Sequence, residues 1–329
     1  MKFAIALQPE VDEKWHLARQ MGLEHAVGIS HPGAAGALWD YATCVRTKKL
    51  YEDFGFDLAV IEGWLPMENI KRGTPEREAE LERVLQAIRN LGALDIPVLC
   101  YNWMAFFGWL RTSVTTRARG GALTSSYEHR LTRAAPEAQR PRITEQELWD
   151  NFEWFLQRAV PVAEKAGVKL ALHPDDPPLS PVMGVPRLFS SVEGFERGIS
   201  LIESEANGIC YCQGNFSAMG VDVPKTIRLF GARNVIHFVH FRDVRGTADN
   251  FVETFHDEGK TDMFAAMRAY RDIGFDGAMR PDHAPAMYGD PNTRPGYEAR
   301  GRLFAIGYMK GLLEGVDAMR RTNIGADSG

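Results

Sequence analysis

The sequence has few cysteines, no long apolar run and no large excess of either charge. Four cysteines among 329 residues are too few for a disulfide scaffold, which favours the reducing cytoplasm. No apolar run approaches the ~20 residues of a membrane-spanning helix, so we expect no membrane partner. The net charge of −5 gives no reason to expect nucleic acid or an anionic membrane surface as a partner.

The N-terminus has one short apolar run, residues 3–7, before acidic residues appear, which predicts a first strand rather than a signal peptide. Hydrophobic residues make up 45% of the chain and charged residues 25%, a composition that suits a globular protein with a large core. The length allows two domains, but α/β barrels of this size are often one. We therefore predict a single domain over residues 1–329.

Patterns typical of strands and helices alternate along the chain. Short apolar runs bounded by glycine, proline or polar residues predict strands, and amphipathic segments between them predict helices. Thr74 and Thr144 are predicted N-caps, and Thr144 has the spacing of a capping box. Eight alternations favour a closed (β/α)₈ TIM barrel over an open sheet. The predicted strands are residues 3–7, 25–30, 57–63, 96–103, 168–173, 208–214, 234–242 and 276–282, and the predicted helices are residues 11–22, 38–54, 74–91, 144–167, 191–204, 223–230, 261–274 and 294–320.

Residues 104–143 interrupt this alternation between the fourth strand and its helix. They contain seven arginines against two glutamates, and the stretch GGALTSSYEH within them has the composition of a small hairpin. An insertion this long in a compact domain is usually a lid or a binding loop. We predict a lid over the barrel mouth that favours an anionic substrate, with a solvated surface insertion as the alternative.

Four predicted strands end in residues that can bind a metal ion: His173, Cys212, His240 and Asp282. In parallel barrels the carboxyl ends of the strands carry the chemistry. Because positions two apart share a face of a strand, Cys210 points the same way as Cys212 and is predicted to lie one layer deeper in the core. One thiolate, two imidazoles and one carboxylate suit Fe²⁺, Co²⁺ or Zn²⁺ and can take Mn²⁺. A single such residue is more often part of the core, but four on successive strands predict a metal site.

Other polar residues near this edge are candidates for binding the rest of a substrate, although each is as easily structural. Arg242 shares the inward face of His240 and suits a carboxylate, and Arg111 in the insertion is a second candidate for an anion. Asp175 is predicted either to orient a ligand histidine or to form the turn. His237 faces away from His240 and is predicted to be a hydrogen-bonded structural residue. The remaining candidates are His256, Asn102, Glu62 and His31.

Several stretches match one known family: ALHPDDPP, HFVHFRDV, FHDEGKTDM, RPDH and RPGYEARGRL. Together with IKRGTPERE, VLCYNWM and CQGN they extend from residue 70 to residue 303, whereas the first sixty residues match weakly. On these motifs the chain resembles the mannonate dehydratase family of xylose-isomerase-like TIM barrels. The resemblance implies an oligomeric lyase of hexuronate breakdown that uses Fe²⁺ or Mn²⁺ to convert D-mannonate to 2-dehydro-3-deoxy-D-gluconate.

The resemblance also implies roles for individual residues. The family's metal ligands fall on His173, Cys212, His240 and Asp282, and its acid/base residues fall on His283 and Tyr297. Without the resemblance, the sequence favours a surface tyrosine at the start of a helix for Tyr297. The sequence also leaves open which of His283 and Tyr297 is the base. The family usually has CTGS where this chain has Cys212 followed by QGN, and Leu-Arg-Asn where it has FRD at residues 241–243. These departures touch the predicted substrate surface, so a different sugar acid is an alternative.

Two other functions fit the same pattern. An isomerase or epimerase would use the same metal ligands to move a proton without losing water, so its product would have the mass of its substrate. A non-catalytic sugar-acid binding protein would have little reason to keep metal-binding and proton-transfer residues together. We therefore predict a metal-dependent lyase that acts on a small sugar acid.

Overall fold

The computed structural model describes residues 1–30, 37–63, 65–133, 135 and 141–326. Eight parallel strands close into a barrel in the order β1-β12-β9-β8-β7-β4-β3-β2, which confirms the predicted TIM barrel. The strands are β1 (Lys2–Leu7), β2 (His25–Ser30), β3 (Asp57–Gly63), β4 (Val98–Asn102), β5 (Ser113–Arg117), β6 (Leu123–Glu128), β7 (Lys169–His173), β8 (Asn207–Cys212), β9 (Ile236–Phe241), β10 (Val244–Thr247), β11 (Asn250–Glu253) and β12 (Ala278–Pro281).

The helices follow the barrel strands, and all eight predicted helices are present. They are α1 (Glu13–Gln20), α2 (Tyr41–Asp53), α3 (Glu68–Arg72), α4 (Arg77–Ala93), α5 (His129–Arg133), α6 (Glu145–Ala166), α7 (Val192–Leu201), α8 (Gln213–Ala218), α9 (Val223–Gly231), α10 (Met263–Asp272) and α11 (Ala299–Ala326). The short helices α3, α5 and α8 were not predicted. Among the described residues, no helix has the length and apolar character needed to cross a membrane.

One predicted helix start is confirmed and the other is wrong. The Thr144 hydroxyl accepts from the backbone N–H of Glu147, whose carboxylate bonds back to Thr144, and this capping box begins α6. Helix α4 begins later than predicted, at Arg77, and its first residue has no side-chain cap. Thr74 instead donates its hydroxyl to Asn69 Oδ1 at 2.8 Å, so it stabilises the loop that follows α3.

Small side chains fill the centre of the barrel. The buried cluster there comprises Ala4, Ala6, Val27, Ala59, Val60, Val98, Cys100, Ala171, Cys210, Phe238 and Ala278. As the alternation of strand residues predicted, Cys210 lies in this layer. The ligand atoms of Cys100 and Cys210 lie within 4.8 Å of each other and of His240. Burial raises the pKa of both thiols, so they remain protonated as part of the core.

Two helical glycines differ in their surroundings. On α4, a Cβ atom added to Gly92 would lie 2.3 Å from the backbone oxygen of Ala166, at the end of α6. On α11, a Cβ added to Gly311 would have no described atom within 4 Å apart from the neighbouring backbone of its own helix. Close packing of α4 on α6 therefore depends on glycine at the first position, whereas the second tolerates a side chain.

The insertion contributes to a second, antiparallel sheet with strand order β10-β11-β6-β5. A hairpin is present, but the predicted stretch, residues 120–129, contains only its turn and second strand, β6, whereas its first strand, β5, lies earlier in the chain. Strand β11 pairs with β6 at Phe251 and Tyr127. The hairpin formed by β10 and β11 directly follows barrel strand β9 and was not predicted. The loop after β12 joins the same sheet through Ala286, whose backbone N–H donates to Leu123 O at 2.7 Å. The small sheet is thereby fixed above the carboxyl ends of the barrel strands.

Candidate active site

The structure brings the four predicted ligand residues together. Strands β7, β8 and β9 are neighbours. At or next to their carboxyl ends lie His173, Cys212 and His240, whose ligand atoms are all within 4.8 Å of one another. Asp282 follows β12, the other neighbour of β9. Its Oδ2 atom lies 3.6 Å from His240 Nδ1 and 3.8 Å from Cys212 Sγ. The carboxyl ends of four adjacent strands thus form one cluster.

The surroundings of His240 fit a bound cation. Both ring nitrogens are buried and form no well-directed hydrogen bond among the described residues, which is rare for buried polar atoms. Nε2 lies 3.3 Å from the Glu62 Oε2 atom. Burial and Arg280 act to lower the pKa of His240, but the carboxylates of Glu62 and Asp282 outweigh them and raise it to about 9. A divalent cation would take the place of the proton that these carboxylates stabilise. The residues present therefore suit a metal centre, and their roles as ligands stay a prediction.

The predicted acid/base residues lie beside this cluster and contact each other. His283 Nε2 is 3.2 Å from the Tyr297 hydroxyl, which donates to Asp282 Oδ1 at 3.1 Å. His283 Nδ1 lies 2.9 Å from Glu253 Oε1 at the end of β11. Because an ionised carboxylate can only accept, Nδ1 carries the proton and Nε2 is left to accept one. Burial, followed by Asp282, raises the pKa of Tyr297 well above its usual range.

Two buried arginines hold the carboxylates of the site ionised. Arg242 donates to Asp282 at 2.9 Å, to Glu253 at 2.9 Å and to Asp176 at 3.2 Å. Arg111 donates to Glu253 and Asp176 at 2.5 Å each. Burial alone would raise the pKa of Glu253, but Arg242 and the other neighbouring cations hold it well below its usual range. The guanidinium groups of both arginines are therefore occupied by carboxylates of the chain itself.

One of the departures from the family motif contacts the cluster directly. The Cys212 thiol donates to Asn215 Oδ1 at 2.9 Å, and Asn215 Nδ2 donates to the backbone oxygen of Asp175 at 2.8 Å. The Asp175 carboxylate accepts from the Phe189 N–H at 2.7 Å, which is the turn role of the two that the sequence left open. His173 Nδ1 instead lies 2.7 Å from the carbonyl oxygen of the residue that follows it.

A cavity of about 490 Å³ opens above the cluster. Of the predicted substrate-binding residues, Glu62 and Asn102 line it, and the insertion contributes Trp109 to its wall. His256 lies away from it, with Nε2 2.7 Å from the carbonyl oxygen of Phe241, and burial lowers the pKa of His256 to about 4. Arg242 and Arg111 also lie outside the cavity wall that the described residues form. His31, the remaining candidate, lies outside the described residues.

His237 is a structural residue as predicted, but one of its ring nitrogens lacks the expected hydrogen bond. Its Nε2 atom is buried and has no hydrogen-bond partner in the described chain. The ring lies over Gly208 on the adjacent strand β8, where an added Cβ would meet His237 Nε2 at 2.3 Å. Burial, with a smaller effect of Lys169, lowers the pKa of His237 to about 3. This histidine is a neutral packing residue at physiological pH.

Several residues of the site were missed from the sequence. Glu253 was missed because the second hairpin was not predicted, although ADN at residues 248–250 between alternating apolar residues is a turn signal. Asp176 was visible in the HPDDPP motif but was not given a role. Lys14 and Arg302 line the cavity from helices at opposite ends of the chain, and no local pattern points to them.

The fold and this cluster define a TIM-barrel enzyme in which a group of residues suited to a metal ion adjoins a histidine–tyrosine pair. The family model described as D-mannonate dehydratase (UxuA) matches residues 12–140 and 133–323. Mannonate dehydratase of Thermotoga maritima is 34% identical over 335 residues, which cover 91% of this chain and 92% of that protein. The chain therefore belongs to the D-mannonate dehydratase family, which confirms the predicted family and its hydro-lyase class.

Solved structures agree with this assignment. The crystal structure of mannonate dehydratase from Streptococcus suis serotype 2 matches with a TM-score of 0.91 and 33% identity over 98% of this chain and 96% of that one. A D-tagatose 3-epimerase-like protein matches with a TM-score of 0.63 and 15% identity over 97% and 99% of the two chains. The second likeness shows a common fold alone, so it does not support an epimerase activity for this chain.

Proposed function

We propose that this protein dehydrates D-mannonate to 2-dehydro-3-deoxy-D-gluconate. The observation that carries the proposal is the pair of His283 and Tyr297, 3.2 Å apart, beside a cluster that suits a divalent cation. Both residues line the same cavity, whose volume of about 490 Å³ lies within the usual range for small-molecule sites. Membership of the D-mannonate dehydratase family supports the choice of substrate.

A divalent cation, Fe²⁺ or Mn²⁺, would be held by His173, Cys212, His240 and Asp282. When bound, it would offset the negative charge that develops next to the substrate carboxylate as the C2 proton leaves. The chain itself fixes Asp282 through Arg280 Nη1, which donates to Oδ1 at 2.8 Å. Arg242 and Arg111 are assigned the role of holding the carboxylates of the site, because their Nη groups already donate to these partners.

The hydrogen bonds of His283 support His283 as the base and Tyr297 as the acid. Glu253 holds the Nδ1 proton, so Nε2 accepts the proton from C2 while the C–H electrons form a double bond to C3. Tyr297 donates its proton to the departing C3 hydroxyl, which leaves as water. His283 then returns the C2 proton to Tyr297 across 3.2 Å, and the enol becomes the 2-keto acid. One water is lost, and the pair ends in its starting protonation state.

The test is turnover of an aldonate panel by protein reconstituted with Mn²⁺ or, anaerobically, with Fe²⁺. We expect a 2-keto acid whose mass is lower than that of D-mannonate by one water. A product of unchanged mass would replace the lyase by an epimerase or isomerase. His283→Asn and Tyr297→Phe should each lower kcat about 10²- to 10⁴-fold with metal content retained. Tyr288→Phe, at a fully exposed tyrosine, is the matched control and should leave turnover unchanged.

Three further statements belong to the same proposal. The insertion acts as a lid, since Trp109 from it packs edge-on against His283 with ring centroids 5.4 Å apart. The enzyme acts in the cytoplasm, which its four free, buried cysteines support. It is a homo-oligomer, as the family resemblance implies, and sedimentation of the purified protein tests this directly.

A further inference from the structure

The cavity wall carries three carboxylates and three cations. The carboxylates are bound to buried arginines, and they are Glu62, Asp176 and Asp282. The cations are Lys14, Arg294 and Arg302. The carboxylates come from the strand ends and loops around the metal-binding cluster, whereas the cations come from α1, α11 and the loop that precedes α11. The two kinds of charge therefore belong to different parts of the wall.

Arg302 is a buried cation that forms no ion pair with any residue the structure describes, although the charges of Asp282 and Asp12 act on it from a distance. It is 1% exposed, and it donates to the backbone oxygens of Ala6 at 3.0 Å and Glu298 at 3.3 Å. Among the described residues it forms no ion pair, and its Nη2 group has no acceptor. Arg242 and Arg280, which are equally buried, each bind two or more carboxylates. Burying a charge has an unfavourable free energy unless the charge is paired. An anion bound in the cavity would provide the missing partner of Arg302.

Lys14 adds a second donor to the same part of the wall. Its side chain is 13% exposed, and its Nζ atom lies 3.5 Å from Asp12 Oδ2, a carboxylate that also caps α1. Lys14 and Arg302 line the same cavity from α1 and α11, two helices that pack against each other. Burial, followed by the charge of Arg302, lowers the pKa of Lys14. Arg294 is exposed and lies at the mouth of the cavity, where it can attract an anion.

Tyr297 connects these cations to the acid/base pair. The guanidinium carbon of Arg302 lies 5.6 Å from the centroid of the Tyr297 ring. The hydroxyl of the same ring contacts Asp282 and His283. An anionic group bound to Arg302 would therefore lie near the Tyr297 ring, whose hydroxyl contacts His283. In a sugar acid, the carbon that loses its proton is bonded directly to the carboxylate carbon.

We propose that Lys14, Arg294 and Arg302 form the subsite for the carboxylate of the sugar acid. Arg302 Nη2 and Lys14 Nζ donate to the carboxylate oxygens, and the hydroxyl-bearing carbons extend toward His283 and the metal-binding cluster. The identity of the ligand as an aldonate rests on the proposed function. The requirement for an anion rests on the unpaired charge of Arg302 alone. The carboxylates around the cluster offset the charge of a bound cation there, which leaves the α1 and α11 side as the basic part of the wall.

The experiment uses metal-reconstituted protein with Lys14→Met, Lys14→Arg and Arg294→Gln. Arg302 stays unchanged, because its bonds to Ala6 and Glu298 hold β1 against α11. We expect Lys14→Met to raise KM for D-mannonate about 10- to 100-fold, the usual effect of losing a charge-assisted hydrogen bond. kcat should change less than about threefold, and Lys14→Arg should recover most of the KM. Arg294→Gln should raise KM by a smaller factor because the residue is exposed.

Arg300→Gln is the matched control. Arg300 lies two residues before Arg302 on α11 and is 48% exposed, and its guanidinium binds Asp290 at 3.3 Å. It should leave KM unchanged. Inhibition by D-mannonamide, the neutral counterpart of the substrate, should be the same in Lys14→Met and the wild-type protein. Equal weakening of amide and carboxylate, or a KM in Lys14→Met and Arg294→Gln within about twofold of wild type, would overturn the subsite.

The two proposals fail differently. A wild-type protein that turns over D-mannonate while the variants keep its KM overturns the subsite and leaves the dehydratase in place. A wild-type protein that does not turn over D-mannonate overturns the dehydratase. Calorimetric titration of D-mannonate into the same proteins then still tests the subsite, since Lys14→Met must weaken binding of the anion and Arg300→Gln must not.

Discussion

Replacing Glu253 by glutamine tests how the small sheet positions the acid/base pair. Glu253 does not line the cavity that the described residues form, yet it accepts hydrogen bonds from His283 Nδ1 at 2.9 Å, Arg111 at 2.5 Å and Arg242 at 2.9 Å. A glutamine has nearly the same shape but only one acceptor oxygen. Its amide N–H groups must then face at least one of the three donors.

The expected magnitude follows from these contacts. One buried arginine donor loses its acceptor, which should lower the free energy of unfolding by about 1–3 kcal/mol. The ring of His283 loses the carboxylate that fixes its Nδ1–H tautomer. Removing a group that orients a functional histidine typically costs about 10- to 100-fold, so we expect a loss of this size in kcat. KM should change less than about threefold, because Glu253 is a positioning residue that does not touch the substrate.

Three measurements check this prediction. Steady-state kinetics separate kcat from KM, and urea unfolding gives the change in stability. Long-range ¹H–¹⁵N correlation spectra report the tautomer of His283, whose signals are identified by their loss in His283→Asn. The wild-type protein should show protonated Nδ1, and Glu253→Gln should show a mixture. Glu128→Gln, on the neighbouring strand β6 with a side chain 32% exposed, is the control and should change none of the three.

The reasoning would be refuted by a variant that folds with unchanged stability and keeps both kcat and the wild-type tautomer. A fall in kcat together with an equal rise in KM would also count against it, because that pattern indicates a general distortion of the cavity. Loss of stability with full kcat would assign Glu253 a structural role alone.

Cys212→Ser replaces a thiolate by a weaker hydroxyl ligand, so metal content should fall at least about tenfold, whereas Cys44→Ser on α2 should keep it; full metal content in the first variant would contradict its role as a ligand. Gly92→Ala should lower the free energy of unfolding in urea by about 1–3 kcal/mol, because the new Cβ contacts backbone atoms. Gly311→Ala should raise it by as much as about 1 kcal/mol, and equal effects of the two substitutions would contradict the packing of α4 on α6. The folded pKa of His237, about 3, lies below its ordinary value of 6.5, so the unfolded chain binds the proton first and stability is lost as pH falls below 6.5. Between pH 7 and pH 5 this loss should be about 2 kcal/mol, and His237→Gln should lack it; equal pH dependence in the two proteins would show that the ring is not held neutral.

The barrel was predictable because its signals are local. An apolar run that ends in a polar residue, or a helix that begins at a capping box such as Thr144, is visible within one short segment. The alternation of strand residues also placed Cys212 above Cys210 without coordinates. Helix α8 was missed because QGN continues the polar end of β8 without a break, and a strand and a short helix look alike there.

The sequence by itself determined the eight alternations, the residues at four strand ends and the family. Only the tertiary structure shows that Glu253 contacts His283 from a second hairpin, and that Arg242 forms ion pairs with carboxylates of the chain. It also brought Lys14 and Arg302 to one wall, because closure of the barrel pairs β1 with β12 and sets the first helix beside the last. Such contacts depend on the closed ring of strands, and a pattern read along a single segment contains no information about them.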